Sequence, residues 1–478
     1  MNFKTVKYAI GWLLIFEAAF FLIPLVTALV YSEFSDALSF LYSALVALAL
    51  GALLTVGRPF EKKLGAKDGF VIVSLGWIVL SLIGALPFMF SGVTENYVDA
   101  LFETASGFTT TGASVLSNLE ALPRSIIMWR SFLAWIGGMG VLVFVMAFLP
   151  LGGSSMHLMK AESPGPSVSK LVPRIKTTAI ILYGIYFAMT LVQFVLLLAG
   201  GIGVFEALNL AFATAGTGGF APRSDSIASY SPYIQIVITV FMLLFSLNFN
   251  AYYLVMKRRL RDAFNTEIKV FLVIVASAII IITLSVAPSF TSLTEAVRHV
   301  AFTVASIISS TGFTTVDFNA WSAIARTVLI LLMLVGACAG STGGGIKVSR
   351  FVLLWKQFVN EMQHLIRPRQ VKKLTLDKKE VDGTVLRALN TYITAYILIF
   401  AVSAVIVSID GHDLVTNFTA TLACLNNIGP GLEAVGPTQN FAFLSVHSKL
   451  VLIFDMIAGR LELFPMLLLF APSTWRKN

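Results

Sequence analysis

Apolar residues in this chain fall in long runs separated by short polar stretches, the pattern of a polypeptide that crosses a bilayer many times. Runs of roughly 20 apolar residues can span the hydrocarbon core, whereas runs of roughly 10–14 enter and return. By that rule full helices are predicted near 8–31, 37–57, 70–90, 124–150, 177–200, 232–257, 269–287, 321–357, 388–409 and 445–471. Four shorter apolar segments, near 97–109, 203–215, 295–309 and 412–426, fall between successive pairs. The predicted fold class is an all-α polytopic membrane protein, with two leading helices (1–69) and four repeats of helix, half-helix, loop and helix. The repeats occupy 70–150, 151–262, 263–382 and 383–478, and the last helix of the third is broken.

Each half-helix ends at a glycine-bearing segment: Thr110-Thr111-Gly112-Ala113, Gly216-Thr217-Gly218-Gly219, Ser310-Thr311-Gly312-Phe313 and Asn427-Ile428-Gly429-Pro430. Aligned on Gly112, Gly218, Gly312 and Gly429, these segments lie 106, 94 and 117 residues apart. That spacing is far too long for a solenoid and points to four copies of a membrane unit. The alignment also brings Phe102, Leu208, Phe302 and Phe418 to nearly equivalent positions upstream. Four such segments converging on one axis form a pore whose carbonyl oxygens can replace the hydration shell of a monovalent cation. Glycine permits the torsions this needs, and irregular backbone at membrane depth is tolerated where it lines a cavity. Half-helices with their partially negative C-terminal ends toward the axis suit a cation. Close helix packing also uses glycines, but packing alone does not explain four at one place in four repeats.

Composition agrees with this reading. The 478 residues are 57% hydrophobic and 12% charged, which excludes a soluble domain. The net charge of +9 sits in short loops, a pattern of topology determination that argues against a nucleic-acid partner. With the N-terminus inside, loops on the inner side carry 27 of the 34 Lys and Arg residues, and both termini are cytoplasmic. Lys4 and Lys7 before an apolar run imitate a secretory signal, but the run is long, contains Glu17 and is followed at once by another. It is read as a retained helix. The outer side holds thirteen acids, among them Glu95, Asp99, Glu103, Asp225, Glu295, Asp317, Asp413 and Glu433, against Arg124, Arg130, Arg223, Arg298, Arg326 and Lys449. These acids either form a cation-concentrating mouth or simply solvate loops and cap half-helices. Cys338 and Cys424 stand in apolar surroundings, and neither CxxC nor HExxH occurs, so no metal site or disulfide is expected. His157, His299, His364, His412 and His447 are scattered without a triad, which argues against an enzyme.

Two features inside the apolar runs stand out. Gly336, Gly340, Gly343, Gly344 and Gly345, followed by Lys347, interrupt the third repeat's last helix. Each glycine costs about 1 kcal/mol against alanine in a helix, so a straight helix is excluded there. A nucleotide-binding P-loop fails because Ile346, not lysine, follows Gly345. A passive kink and a mobile intramembrane loop both remain. Arg460 lies eleven residues past Lys449 in the final helix, about 16 Å along it at the helical rise. It either faces a cavity or a partner as a functional residue, or forms a local ion pair with Asp455 or Glu462. Between Lys356 and Arg387 lies a basic stretch suited to anionic lipid or to a cytosolic partner.

The four segments, from Gly107-Phe108-Thr109-Thr110-Thr111-Gly112-Ala113 to Asn426-Asn427-Ile428-Gly429-Pro430-Gly431, resemble those of the TrkH/TrkG–KtrB superfamily of potassium uptake proteins. The two leading helices resemble its TrkH branch, and the likeness covers essentially the whole chain. The resemblance implies one potassium filter lined by the four glycine segments. Potassium, with rubidium accepted, would pass channel-like across a prokaryotic inner membrane, with proton- or sodium-coupled symport as the alternative. It also implies a gate formed by the glycine-rich loop and Arg460. Members work as homodimers over a cytosolic ring of TrkA- or KtrA-type regulatory subunits, which bind ATP, ADP or NAD(H). This chain is expected to hold no cofactor of its own. Ile428 and Pro430 depart most from a symmetric filter.

Overall fold

The computed structural model describes residues 2–57, 65–140, 175–368, 373–377 and 379–475. The predicted continuation of the 124–150 helix past residue 140 lies outside them, as do the basic loops at 58–64 and 160–174. So do Arg369, Lys372, Lys378 and the basic tail.

The leading helices form a hairpin, Phe3–Phe20 continuing as Leu22–Val30 and Phe34–Thr55 returning. They cross with Gly11 against Gly51: a Cβ on either would lie within 3 Å of the other's carbonyl oxygen. Lipid tails give no hydrophobic drive between helices, so close backbone approach at small residues holds such pairs. Each of the four repeats then opens with a long helix. Among the described residues these are Lys67–Phe90, Ala179–Ala199, Thr266–Ser289 and Gly383–Asp410.

The four half-helices are Tyr97–Phe108, Val204–Gly216, Leu293–Ile308 and Leu414–Leu425, close to the predicted bounds. Three start at side-chain caps: Asn96 accepts from the Val98 N–H, Ser292 from Glu295 and Asp413 from Thr416. Such caps satisfy donors that the first helical turn leaves unpaired.

The second helices differ from prediction. Only the third repeat was expected to break, yet those of the second and fourth break as well. Pro232–Phe245 and Phe249–Met256 meet at 91°. Ala323–Leu334 and Val348–Ile366 flank the glycine-rich loop, and Val446–Arg460 gives way to Phe464–Phe470. In the second repeat Asn248 caps a new helix by accepting from the Asn250 N–H. In the fourth, Glu462 and Leu463 turn left-handed (φ 54° and 72°) and Pro465 opens the next helix. A proline in the first turn has no N–H to lose, which makes it a natural helix start. Thr375–Leu376 pairs antiparallel with Lys379–Glu380 in a small turn near the end of the third repeat.

Candidate functional site

Each half-helix ends in the same way. The N–H groups of Thr110, Thr217, Ser310 and Asn427 donate to the carbonyls of Gly107, Thr214, Ile307 and Cys424 at 3.0–3.2 Å. Those of the next residues, Thr111, Gly218, Thr311 and Ile428, donate five residues back, to Ser106, Ala213, Ser306 and Ala423, at 2.8–2.9 Å. These are Schellman turns, which satisfy carbonyls left open at a helix end. Their left-handed position normally takes glycine, but here it holds Thr110, Thr217, Ser310 and Asn427, with φ between 54° and 58°. Non-glycine residues held there by their surroundings cluster at functional positions.

Two residues further on, a glycine is again left-handed: Gly112, Gly219, Gly312 and Gly429, with φ of 81°, 66°, 80° and 96°. The second repeat is therefore shifted by one from the predicted alignment, and its equivalent glycine is Gly219, not Gly218. The upstream equivalence changes with it. Phe102 and Phe302 are buried ten residues before their glycines, while Leu208 is partly exposed and Phe418 exposed; Asn209 and Thr419 take the matching places.

These glycines close a ring. A Cβ on Gly112 would lie 2.7 Å from the Gly218 carbonyl oxygen, and one on Gly219 would strike that of Thr311. One on Gly312 would strike the Ile428 oxygen, and one on Gly429 would lie 2.7 Å from that of Thr111. Each glycine thus abuts the carbonyl preceding the glycine of the next repeat, and the fourth returns to the first. Gly112, Gly219 and Gly312 are partly accessible, whereas Gly429 is buried and Pro430 takes the accessible place. Ala113, Phe313 and Ile428 are buried behind the ring, and Gly216 lies off it, against Ala134 of the first repeat.

Buried side chains brace the segments. Arg130 Nε donates to Glu103 Oε1 at 2.6 Å, and both residues are buried. Glu103 also accepts from the Val115 N–H and the Ser114 hydroxyl just past the first segment. The Arg130 guanidinium lies 4.3 Å from the Phe220 ring centroid and so links the first segment to the second. Glu103 and Arg130 are therefore framework, not mouth. Other acids of the predicted outer side are likewise engaged: Asp99 with Lys449, Glu206 with Arg223, Glu433 with Arg326, and Asp317 and Asp413 as caps. Capping, part of one sequence reading, describes Asp317 and Asp413; the ion pairs belong to neither reading.

On the side of the ring facing the helix breaks, residues 335–347 form a closed loop. Val335 and Ile346 pair side by side, and Gly336 N–H donates to the Ile346 carbonyl at 2.9 Å. Lys347 Nζ, buried, donates to the Gly343 and Gly344 carbonyls within the loop. Gly344 N–H donates to the Ser310 hydroxyl at 2.5 Å. A Cβ on Gly343 would lie 2.7 Å from the Ser309 oxygen, and one on Gly344 would strike that of Asn426. Toward the second repeat, Cys338 N–H donates to Ser246 O and the Thr342 hydroxyl to Phe245 O, while Phe249 N–H donates to Gly340 O. The loop thereby satisfies helix-end groups exposed by the 91° break, which is why that helix can break there. Gly340 sits out beside Asn248, apart from the other loop glycines.

Arg460 donates to the Thr342 carbonyl at 2.8 Å and to the Gly138 carbonyl at 2.7 Å, and also to that of Gly137. It ties the loop to the C-terminal end of Arg124–Gly138, where the helix dipole favours a cation. The acids weighed as its local partners are engaged elsewhere: Asp455 accepts from Ser403 and Glu462 pairs with Arg350. Sequence reasoning missed Asn427 as a brace; its Nδ2 donates to Thr111 Oγ1 at 3.0 Å and to Met456 O at 2.8 Å. It also missed Arg350, whose guanidinium lies 3.9 Å from the Tyr392 ring centroid, and Glu267, whose Oε1 accepts from Ala339 at 2.7 Å.

The fold and site define a multi-pass membrane protein with four repeats around one axis. The chain matches the family TrkH, cation transport protein, over residues 39–477 and belongs to it. It is 36% identical over 486 residues to the Trk system potassium uptake protein TrkH of Escherichia coli (strain K12), covering all of both chains. It is 32% identical to the TrkG protein of the same strain, covering 99% of each. The crystal structure of the potassium transporter TrkH from Vibrio parahaemolyticus superposes with a TM-score of 0.90 at 32% identity, covering all of both chains.

Proposed function

We propose that the chain takes up potassium, with rubidium accepted, through the ring of Gly112, Gly219, Gly312 and Gly429. The loop at 335–347 and Arg460 gate this channel-like path. The observation that carries the reading is the loop's set of attachments. It bonds to or packs against Phe245, Ser246 and Phe249 of the second repeat, Ser309 and Ser310 of the third and Asn426 of the fourth. Through Arg460 it is joined to Gly137 and Gly138 of the first. Held by three repeats directly and by the first through Arg460, the loop would stand across the path of an ion leaving the ring. The names of the relatives support potassium as the ion.

The distribution of basic loops supports cytoplasmic N- and C-termini in a prokaryotic inner membrane. A homodimer, which the resemblance to the family implies, is part of the same reading. A TrkA- or KtrA-like ring binding ATP, ADP or NAD(H) would act on the basic face next to Val348–Ile366.

The test is ⁸⁶Rb⁺ uptake into proteoliposomes under an imposed inside-negative potential. Uptake blocked by potassium but not sodium, with discrimination lost in Gly112→Ser, supports the filter. A component driven by a proton or sodium gradient at zero potential would replace the channel reading with symport.

A further inference from the structure

Glu267 belongs neither to the ring nor to the loop, yet it holds both ends of the stretch 340–348. It stands in the first turn of Thr266–Val286, the opening helix of the third repeat, and its side chain is buried. Its Oε1 accepts the Ala339 N–H at 2.7 Å and the Ser349 N–H at 3.1 Å. Ala339 lies inside the loop; Ser349 lies in the first turn of Val348–Ile366, the helix that follows it. First-turn N–H groups have no intrahelical acceptor, and neither does an N–H in irregular backbone. One carboxylate oxygen thus joins the two strands of chain between which the loop would have to swing. Hydrogen bonds to a charged acceptor are the stronger kind, and low-dielectric surroundings strengthen them further.

The residue before Glu267 is tied outward. Thr266 donates its N–H and its hydroxyl to Asp377 Oδ1, at 2.9 and 2.6 Å. Asp377, left-handed at φ 47°, forms the turn between Thr375–Leu376 and Lys379–Glu380. Lys356, from the helix after the loop, donates to the Thr375 carbonyl at 2.7 Å. The small exposed turn is therefore bonded to the helix that carries Glu267 and to the helix that follows the loop.

The geometry points to Glu267 as the latch that positions the loop, and to Asp377 as its outer handle. The Asp377 carboxylate anchors Thr266, and so holds Glu267 against Ala339 and Ser349; losing that anchor loosens the latch and releases the loop. This rests on the reading of the loop as a gate. Glu267 is a positioning residue that touches no ion.

The experiment is rubidium uptake into proteoliposomes with no regulatory protein added, comparing the wild type with Glu267→Ala, Glu267→Gln, Asp377→Ala and Arg460→Ala. Glu267→Ala is expected to raise uptake roughly tenfold, in the range of typical coupling energies. Glu267→Gln keeps the acceptor oxygen but loses the charge, and gives a smaller rise. Asp377→Ala shifts uptake in the same direction. Rubidium-over-sodium discrimination stays as in the wild type in all three, because the ring is untouched; a merely destabilised pore would lose it. If Arg460→Ala raises uptake while folded Glu267→Ala and Asp377→Ala do not, the latch is overturned and the gate stands. If none of the four variants changes uptake, the gate reading itself falls. Should Glu267→Ala fail to fold, Asp377→Ala, which touches no loop residue, decides the matter.

Discussion

Gly344 gives its backbone N–H to the hydroxyl of Ser310 at 2.5 Å, so the loop is bonded to the residue that turns the third segment of the ring. The loop and the ring share a hydrogen bond. Ser310→Ala removes the acceptor and leaves a buried N–H unpaired, which favours release of the loop. With a net value of about 0.5–1.5 kcal/mol for such a bond, unstimulated rubidium uptake should rise roughly 2- to 10-fold. Ser310→Thr keeps the hydroxyl and should stay near the wild type. Equal uptake in the alanine and threonine variants would remove this bond from the gating mechanism.

Arg460 spans the Thr342 carbonyl on one side and those of Gly137 and Gly138 on the other. A guanidinium fork can serve both sides at once, whereas a lysine ammonium is a single point of charge. Arg460→Ala should therefore raise basal uptake on the order of tenfold or more, with Arg460→Lys between it and the wild type. Flux assays on folded, reconstituted protein check this, and an Arg460→Lys variant as leaky as Arg460→Ala would place the effect in geometry alone.

The shift from Gly218 to Gly219 is separable by experiment. A Cβ on Gly218 meets only the Ala134 Cβ closely, so Gly218→Ala should be partly rescued by Ala134→Gly. Gly219→Ala forces a left-handed residue against the Thr311 carbonyl, and no side-chain removal relieves it. Discrimination between rubidium and sodium should therefore fail in Gly219→Ala, with or without Ala134→Gly. Rescue of both variants alike would contradict the register.

Most of the architecture was legible because apolar run length alone separates spanning from re-entrant helices, and because half-helix ends coincide with glycine segments. Gly218 and Gly219 were not distinguishable, since adjacent glycines satisfy the same pattern and sequence does not record which adopts positive φ. The breaks after Phe245 and Arg460 were hidden by leucines and phenylalanines that keep hydropathy high across them. Asn248 as a cap and Pro465 in a first turn were the signals available. Glu267 reads in sequence as an ordinary acid at a helix start. Its partners, Ala339 and Ser349, are 72 and 82 residues away and offer only backbone N–H groups, which no residue type reveals.

Removing one member of the Glu103–Arg130 pair should cost about 3–5 kcal/mol, because it strands a buried charge. Arg130→Met is expected to lower the thermal unfolding midpoint in detergent sharply, and adding Glu103→Met should recover much of the loss. A double variant as unstable as the single would mean that Arg130 acts through its stacking on Phe220 instead.

Among the described residues the loop is present once, although the ring is built four times. In an assembly of four identical subunits, a lid lying on the symmetry axis would have to exist in four copies competing for space that admits one. Writing the repeats into a single polypeptide removes that constraint. One repeat supplies the loop, its neighbours hold it at Ser246 and Asn426 and, through Arg460, at Gly138, and each contact can be tuned by mutation without copying the change around the axis.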